Sequence, residues 1–361
     1  MSSSKTTTKT ACFYFGLGFW MRTTVQSARN FDTQSKVPQN KTFRYVVQGE
    51  FEGLNVEYWA DYRFIETGEN NVLSYPYGLM FYNTTPDAHV LGIGANLPND
   101  QSETFWIWGA NNNNPVRENS TLTFGTDGNL VLADVDGRIV WQTKTANKGV
   151  TGMSMQRNGN FVLHDKKGRF IWQSFQHPTN TIVRGQSLNL MGGKKLVSRT
   201  SDKNSRDGSF SAVIDKNGFI LYQNSQKRGG WEATGLLNVT FDSMHEQPQT
   251  TTYLLTLGLA NPKGVQPKPA GTNSRKVTLT KINYRYEHSF LRLESDGDLA
   301  GYTFYEMDSY ALWAKDYAYF EKVHNGGSPP YTPPTYTGPS GYNPPPYEEP
   351  SGYTPPPPSR F

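Results

Sequence analysis

One strand-turn-strand unit occurs twice in this chain. Asp127 to Thr143 reads DGNLVLADVDGRIVWQT and Asn158 to Ser174 reads NGNFVLHDKKGRFIWQS, at a constant offset of 31 residues and with nine of seventeen positions identical. In each copy Val and Leu alternate with polar residues up to a turn, Asp134-Val135-Asp136-Gly137 or Asp165-Lys166-Lys167-Gly168. The glycine can take a positive φ there, and an apolar run ending in Trp141 or Trp172 follows. Each copy is predicted to be a hairpin with its tryptophan buried. A unit of about 30 residues cannot enclose a core of its own, so the copies must pack around a shared one. The two tryptophans are its expected centre.

The rest of the chain has the same character. Short alternating segments, 34 glycines and almost no stretch at helical spacing predict an all-β protein. Its 361 residues suffice for two packed domains. From Thr42 to Thr123 aromatics alternate with polar residues, ending in Trp106-Ile107-Trp108-Gly109-Ala110-Asn111; an Asn run and Pro115 then mark a loop.

Residues 1–27 read as a secretory leader: Lys5 and Lys9 precede an apolar run from Ala11 to Met21, and Val25-Gln26-Ser27 offers a cleavage site. The run is short and Arg22 follows it, so no membrane span is expected. Loss of Lys5, Lys9 and Arg22 takes the formal charge from +4 to +1 (4 − 3), which gives no footprint for nucleic acid. The single cysteine, Cys12, lies in the leader, so the mature chain would rely on its cores rather than on disulfides. Sequons at Asn40, Asn83, Asn119 and Asn238 predict glycosylation on exposed loops.

Beyond Trp172 the sequence continues Gln173-Ser174-Phe175-Gln176-His177-Pro178-Thr179-Asn180-Thr181. The order Trp108-Gly109-Ala110-Asn111, Asn114-Pro115-Val116, two DGNLVL-like hairpins and a WQSF block resembles the bulb-type mannose-binding lectin domain of plant S-domain glycoproteins and receptor kinases. More narrowly, MFYNTTP, PVRENSTLTFGTDGNLVLAD, WQTKTANKGVTGM and SFLRLESDGDL resemble the curculin-like, epidermis-specific secreted glycoproteins of plants, over roughly Lys41 to Lys322. The resemblance implies tandem β-prism II domains, each with three four-stranded sheets around a pseudo-threefold axis. The expected layout is a linker at 28–43, a lectin domain at 44–187, a second and degenerate prism at 188–324, and a disordered or polyproline II tail at 325–361. That tail holds 13 of the 23 prolines and tyrosines at 331, 336, 342, 347 and 353.

In the family the sugar pocket is the strand motif Q-x-D-x-N-x-V-x-Y. With a side-chain period of two, all five residues project from one sheet face. Here the second hairpin offers Gln156, Asn158, Asn160, Val162 and His164, with Asn158 lacking the charged acceptor and His164 standing where a tyrosine hydroxyl would donate. In the first hairpin Asp127, Asn129 and Val131 hold the centre of the motif, but Gly125 and Ala133 stand at its ends. The last repeat offers Glu294, Asp296, Asp298, Ala300 and Tyr302.

No catalytic motif is present: His245-Glu246-Gln247-Pro248 lacks the second histidine of a zinc-protease helix, and no G-x-S-x-G or phosphate loop occurs. No cofactor or metal site is implied. The expected function is a secreted, wall- or apoplast-located lectin-like glycoprotein that binds mannose-type glycans weakly. The alternative is a structural glycoprotein that docks a wall polymer or an apoplastic protein and is anchored by its Tyr/Pro tail. A cytosolic adaptor using Pro333-Pro334-Thr335-Tyr336 and Pro344-Pro345-Pro346-Tyr347 as WW-domain ligands is a third reading.

Overall fold

The computed structural model describes residues 42–49, 56–67, 70–95, 103–189, 193–233, 238–247, 250–258, 275–283, 288–306 and 311–320. The expected leader, Asn40 and the Pro/Tyr tail lie outside them. Among the described residues the named elements are strands and two short 3-10 segments, Glu57–Trp59 and Ser174–Gln176. No helix there is long and apolar enough to cross a membrane.

The two sequence copies are equivalent hairpins. Leu130–Ala133 pairs with Ile139–Gln142 and Phe161–Asp165 with Phe170–Gln173, and Leu132 faces Trp141 as Leu163 faces Trp172. Thr121–Phe124 and Val150–Met155 add the strand that precedes each hairpin, and Phe43–Val46 joins the first sheet as a fourth. A third sheet holds Asp61–Phe64, Tyr77–Asn83, His89–Ala95 and Phe105–Gly109, with Leu73–Ser74 paired to Tyr77–Asn83. Alternate residues of these strands, among them Leu122, Phe124, Leu130, Leu132, Met153, Met155, Phe161 and Leu163, fill one core. Period-2 patterning thus becomes packing.

Each sheet supplies one tryptophan to the axis. Trp108, Trp141 and Trp172 meet edge to face with ring centroids 5.7–6.0 Å apart, a geometry that contributes about 0.5–1.5 kcal/mol per pair beyond area burial. Trp108 and Trp172 are buried, but Trp141 is only partly so, contrary to the expectation that both hairpin tryptophans are enclosed. Its edge borders a groove. The third member of the trio, Trp108, comes from outside the repeat.

Gly128 and Gly159 close the turns ahead of the two hairpins at φ +78° and +81°. A Cβ on Gly128 would lie 2.7 Å from the Val150 carbonyl oxygen, and one on Gly159 3.1 Å from the Tyr77 ring. Backbone conformation and close approach both require glycine.

A second set of three sheets follows. Thr181–Val183 heads one sheet, Ser187–Asn189 the next and Lys195–Ser201 the third, so the chain lays one strand in each in succession. It then completes them in reverse order: Asn204–Asp215, Gly218–Gln223 and Gln226–Glu232 join the third, Asn238–Gln247, Thr250–Gly258 and Arg275–Asn283 the second, and Ser289–Leu293, Leu299–Glu306 and Ala311–Ala318 the first. Pairing changes from the first set of sheets to the second between Gln173 and Thr181. The segment 181–189 already belongs to sheets of the second unit.

The two units share packing. Phe290, Phe304 and Trp313 of the second enter the core of the first, and Trp313 Nε1 donates to the Ala95 carbonyl at 3.2 Å. Arg292, 2% exposed, donates to both carboxylate oxygens of Glu57 at 2.9 and 2.5 Å and to Glu294 at 3.0 Å. The Trp106 N–H completes the acceptor set of Glu57 at 3.1 Å. Burial pushes the Glu57 carboxyl up, against the pull of Arg292, while the carboxylates hold Arg292 firmly cationic despite its burial.

Candidate carbohydrate site

The turn before the second hairpin gathers three of the five residues expected to touch sugar. Gln156, Asn158 and Asn160 line a shallow depression of about 370 Å³ together with Arg157 and Phe170. Phe170 is 48% exposed, a large apolar ring held open beside amides. Sequence reasoning missed it. Its counterpart one repeat earlier, Ile139, is 54% exposed, so the repeat itself marked a position where apolar residues face out.

Within the depression the polar groups are partly committed. Gln156 Nε2 donates to Ser154 Oγ at 2.9 Å, and Asn158 Oδ1 accepts the Asn160 N–H at 3.3 Å. Asn160 is 5% exposed: its Nδ2 donates to Gln173 Oε1 at 2.8 Å, and its Oδ1 accepts from Ser174 Oγ and the Phe175 N–H. Gln156 Oε1, Asn158 Nδ2 and one N–H of Asn160 have no protein partner among the described residues. One acceptor and two donor groups on the lining are therefore left uncommitted within the protein.

Val162 and His164 do not join them. Val162 is fully buried, so it offers no surface to a pyranose ring. His164 Nδ1 lies 3.1 Å from the Asp165 carbonyl oxygen. That carbonyl can only accept, so the neutral ring carries its proton on Nδ1 and presents Nε2 as an acceptor, where a tyrosine hydroxyl would donate.

The first hairpin repeats the same clasp. Asn129 Nδ2 donates to Gln142 Oε1 at 2.9 Å, its Oδ1 accepts from Thr143 Oγ1 and the Thr145 N–H, and Asp127 Oδ1 accepts the Asn129 N–H at 3.0 Å. Val131 is half-buried. The central Asn of each copy thus ties the turn to the strand carrying Gln142 or Gln173. In the last repeat Asp298 Oδ1 plays the same part, accepting the Leu299 and Phe320 N–H groups. There Glu294 accepts from both Arg292 and the Tyr302 hydroxyl, and Tyr302 stacks on Arg292 at 4.7 Å. The contact between the two units absorbs that motif.

The sequon asparagines fall in unlike places. Asn119 is exposed in a turn at φ +64°. Asn83 ends a strand and is 5% exposed, and Asn238 begins a strand half-buried, so neither stands on the open loop expected of it.

Comparison with known proteins follows these features. The family model described as D-mannose binding lectin matches residues 105–203, from the strand carrying Trp108 into the first strands of the second unit. EP1-like glycoprotein 2 of Arabidopsis thaliana is 46% identical over 306 residues, 79% of this chain and 67% of its own. The epidermis-specific secreted glycoprotein EP1 of Daucus carota is 42% identical over 302 residues, 80% of this chain and 74% of its own. This chain belongs to the EP1-like glycoprotein family. EP1-like chains are lectin-like glycoproteins, and the bulb-type lectin domain is the part that holds both hairpins, the tryptophan trio and the depression at Gln156. The fold is all-β, with tandem prism-type sheets.

Proposed function

We propose that this chain is a secreted lectin-like glycoprotein of the plant cell wall or apoplast that binds mannose-type glycans weakly, through the depression at Gln156, Asn158 and Asn160. The observation that carries the reading is the free hydrogen-bonding set there, beside the exposed Phe170 ring. A shallow site with three polar groups gives low affinity per contact, and several glycan branches engaging several molecules would raise it. The secreted character comes from the leader-like residues 1–27 and from the name of the Daucus relative.

The test is a glycan array with the secreted, deglycosylated protein, including high-mannose structures and wall polysaccharides, repeated with Gln156→Ala. Binding to mannose-type glycans that disappears in the variant supports the site. A silent array favours the second reading, a glycoprotein that docks a wall polymer or protein. That reading draws on Asn160 and Asn129 being engaged in structural clasps and on the last motif being enclosed between the units.

A further inference from the structure

A second concavity among the described residues lies elsewhere. Where the open end of the tryptophan trio meets the edge of the second unit, a groove of about 770 Å³ runs between them, within the range of sites that enclose small ligands. Its aromatic floor is Trp141, the one trio member left partly exposed, because His177 covers Trp172 with rings stacked at 5.2 Å and 12°. One wall is the loop Asn111 to Asn114, which is pinned across the units. Asn113 Oδ1 accepts the Asp207 N–H at 2.8 Å, and the Asn112 carbonyl accepts from Ser205 Oγ at 2.9 Å. Asn112 Oδ1, close over Gly109 in this wall, is buried without a hydrogen-bond partner among the described residues.

The rim is cationic. Lys144 comes from the first unit and Lys194 and Lys195 from the second, and none of the three has an ion pair among the described residues. The Lys194 charge is near enough to add to the effect of burial in holding His177 below the usual histidine range. Arg199 also borders the groove but is buried against Tyr58 and donates to the Tyr82 hydroxyl. Among the described residues Asp207 is the one carboxylate on the lining. Such a rim selects an anion, and lysines on both sides select one with several charges spaced along a chain. The amide-rich wall and indole floor suit a pyranose, whose hydroxyls take amide hydrogen bonds and whose C–H face packs on an aromatic ring.

We infer that this groove is a second carbohydrate site, built for an acidic oligosaccharide made of uronic acid units. A sugar ring rests on Trp141, hydroxyls meet the Asn112 to Asn114 wall, and carboxylates meet Lys144, Lys194 and Lys195. The site is separate from the depression at Gln156, and it requires both units to be present.

The experiment is a titration of the full-length secreted protein with tetragalacturonate, followed by tryptophan fluorescence and calorimetry, with mannotetraose and polyglutamate as controls. Saturable binding of tetragalacturonate with a change in tryptophan emission is expected, weakened by added salt. The Lys144→Gln/Lys194→Gln double variant should bind about tenfold or more less tightly, since each charge-assisted bond lost counts roughly double a neutral one. Its melting temperature should match the parent's. Gln156→Ala should leave this binding unchanged, which separates it from the mannose-type reading. No saturable binding, equal binding of mannotetraose or polyglutamate, or binding lost in Gln156→Ala but kept in the lysine variant would overturn the groove assignment.

Discussion

At the scale of single residues, what an asparagine amide already holds sets how much of it is left for a ligand. Asn160 and Asn129 each tie a turn to a glutamine thirteen positions on. Removing that glutamine should cost about 1–3 kcal/mol, the penalty of leaving a buried amide unsatisfied. Gln173→Ala is therefore expected to lower the melting temperature by several degrees, whereas Gln156→Ala should leave it unchanged and alter only sugar binding. Thermal unfolding of the two variants side by side checks this. The clasp was in reach of the sequence, because Asn129 and Gln142 recur as Asn160 and Gln173 at the same offset of 31. Strand periodicity alone pointed instead to one shared sugar-facing row. Periodicity says which way a side chain leaves the backbone, and it is silent on which groups are already bonded. His164, its Nδ1 engaged by the Asp165 carbonyl, leaves the site for the same reason, and Val162 leaves it because it is fully buried.

Asp134 shows the other use of a turn residue. Burial alone would raise its carboxyl, but hydrogen bonds from the Arg117 side chain and backbone N–H and from Ser120 Oγ hold it well below the ordinary carboxylate range. A depressed folded pKa gives stability that is present above the unfolded value, about 3.9, and is lost as pH falls toward the folded one. Urea midpoints measured against pH should drop below about pH 4. Asp134→Asn should flatten that drop; an unaltered profile would rule out Asp134 as its source.

At the scale of elements, the hairpins and their tryptophans were legible because two copies of one pattern, each too small for its own core, must share one. What the pattern could not show was the third tryptophan. Trp108 lies on a strand of another sheet and resembles neither copy, and it reaches the axis only once three sheets close. The turns carry a prediction of their own. Gly159→Ala combines an unfavourable positive φ with pressure on the Tyr77 ring. Gly168, at φ +77°, has no neighbour within 4 Å of an added Cβ. Gly168→Ala should therefore cost only the backbone strain, about 1–2 kcal/mol, and Gly159→Ala more. Equal losses on chemical denaturation would mean that the ring yields freely.

At the scale of the whole molecule, the buried Glu57–Arg292 pair joins residues 235 positions apart and fastens one unit to the other. Breaking a buried pair from one side leaves an uncompensated charge, at about 3–5 kcal/mol. Glu57→Gln should thus destabilise strongly, while the double change Glu57→Met/Arg292→Met should recover much of the loss. Calorimetry of the three proteins decides, and a double variant no better than the single would show that the pair contributes more than mutual neutralisation. The degeneracy of the second unit was visible in sequence in its last repeat, where Glu294, Asp298 and Ala300 replace the Gln, Asn and Val of the motif. Its last sheet also departs from the first unit: Tyr317, across from Gly301, holds the place of Trp172, while Trp313 sits four residues earlier and turns into the first core.

The reversed order in which the second unit fills its sheets has a consequence during synthesis. The strand at 195–201 finds its partner at once in 204–215, the one at 187–189 waits for 238–247, and the one at 181–183 waits for 289–293. On a ribosome the nested pairs would close from the inside outward, the most distant last. Trp313 belongs to the final strand of that last sheet, so the first unit leaves the tunnel with its core unsealed beside Phe105 and is closed only by the end of the described chain. A product that stops short of residue 311 would carry an open first core and not merely a missing second one.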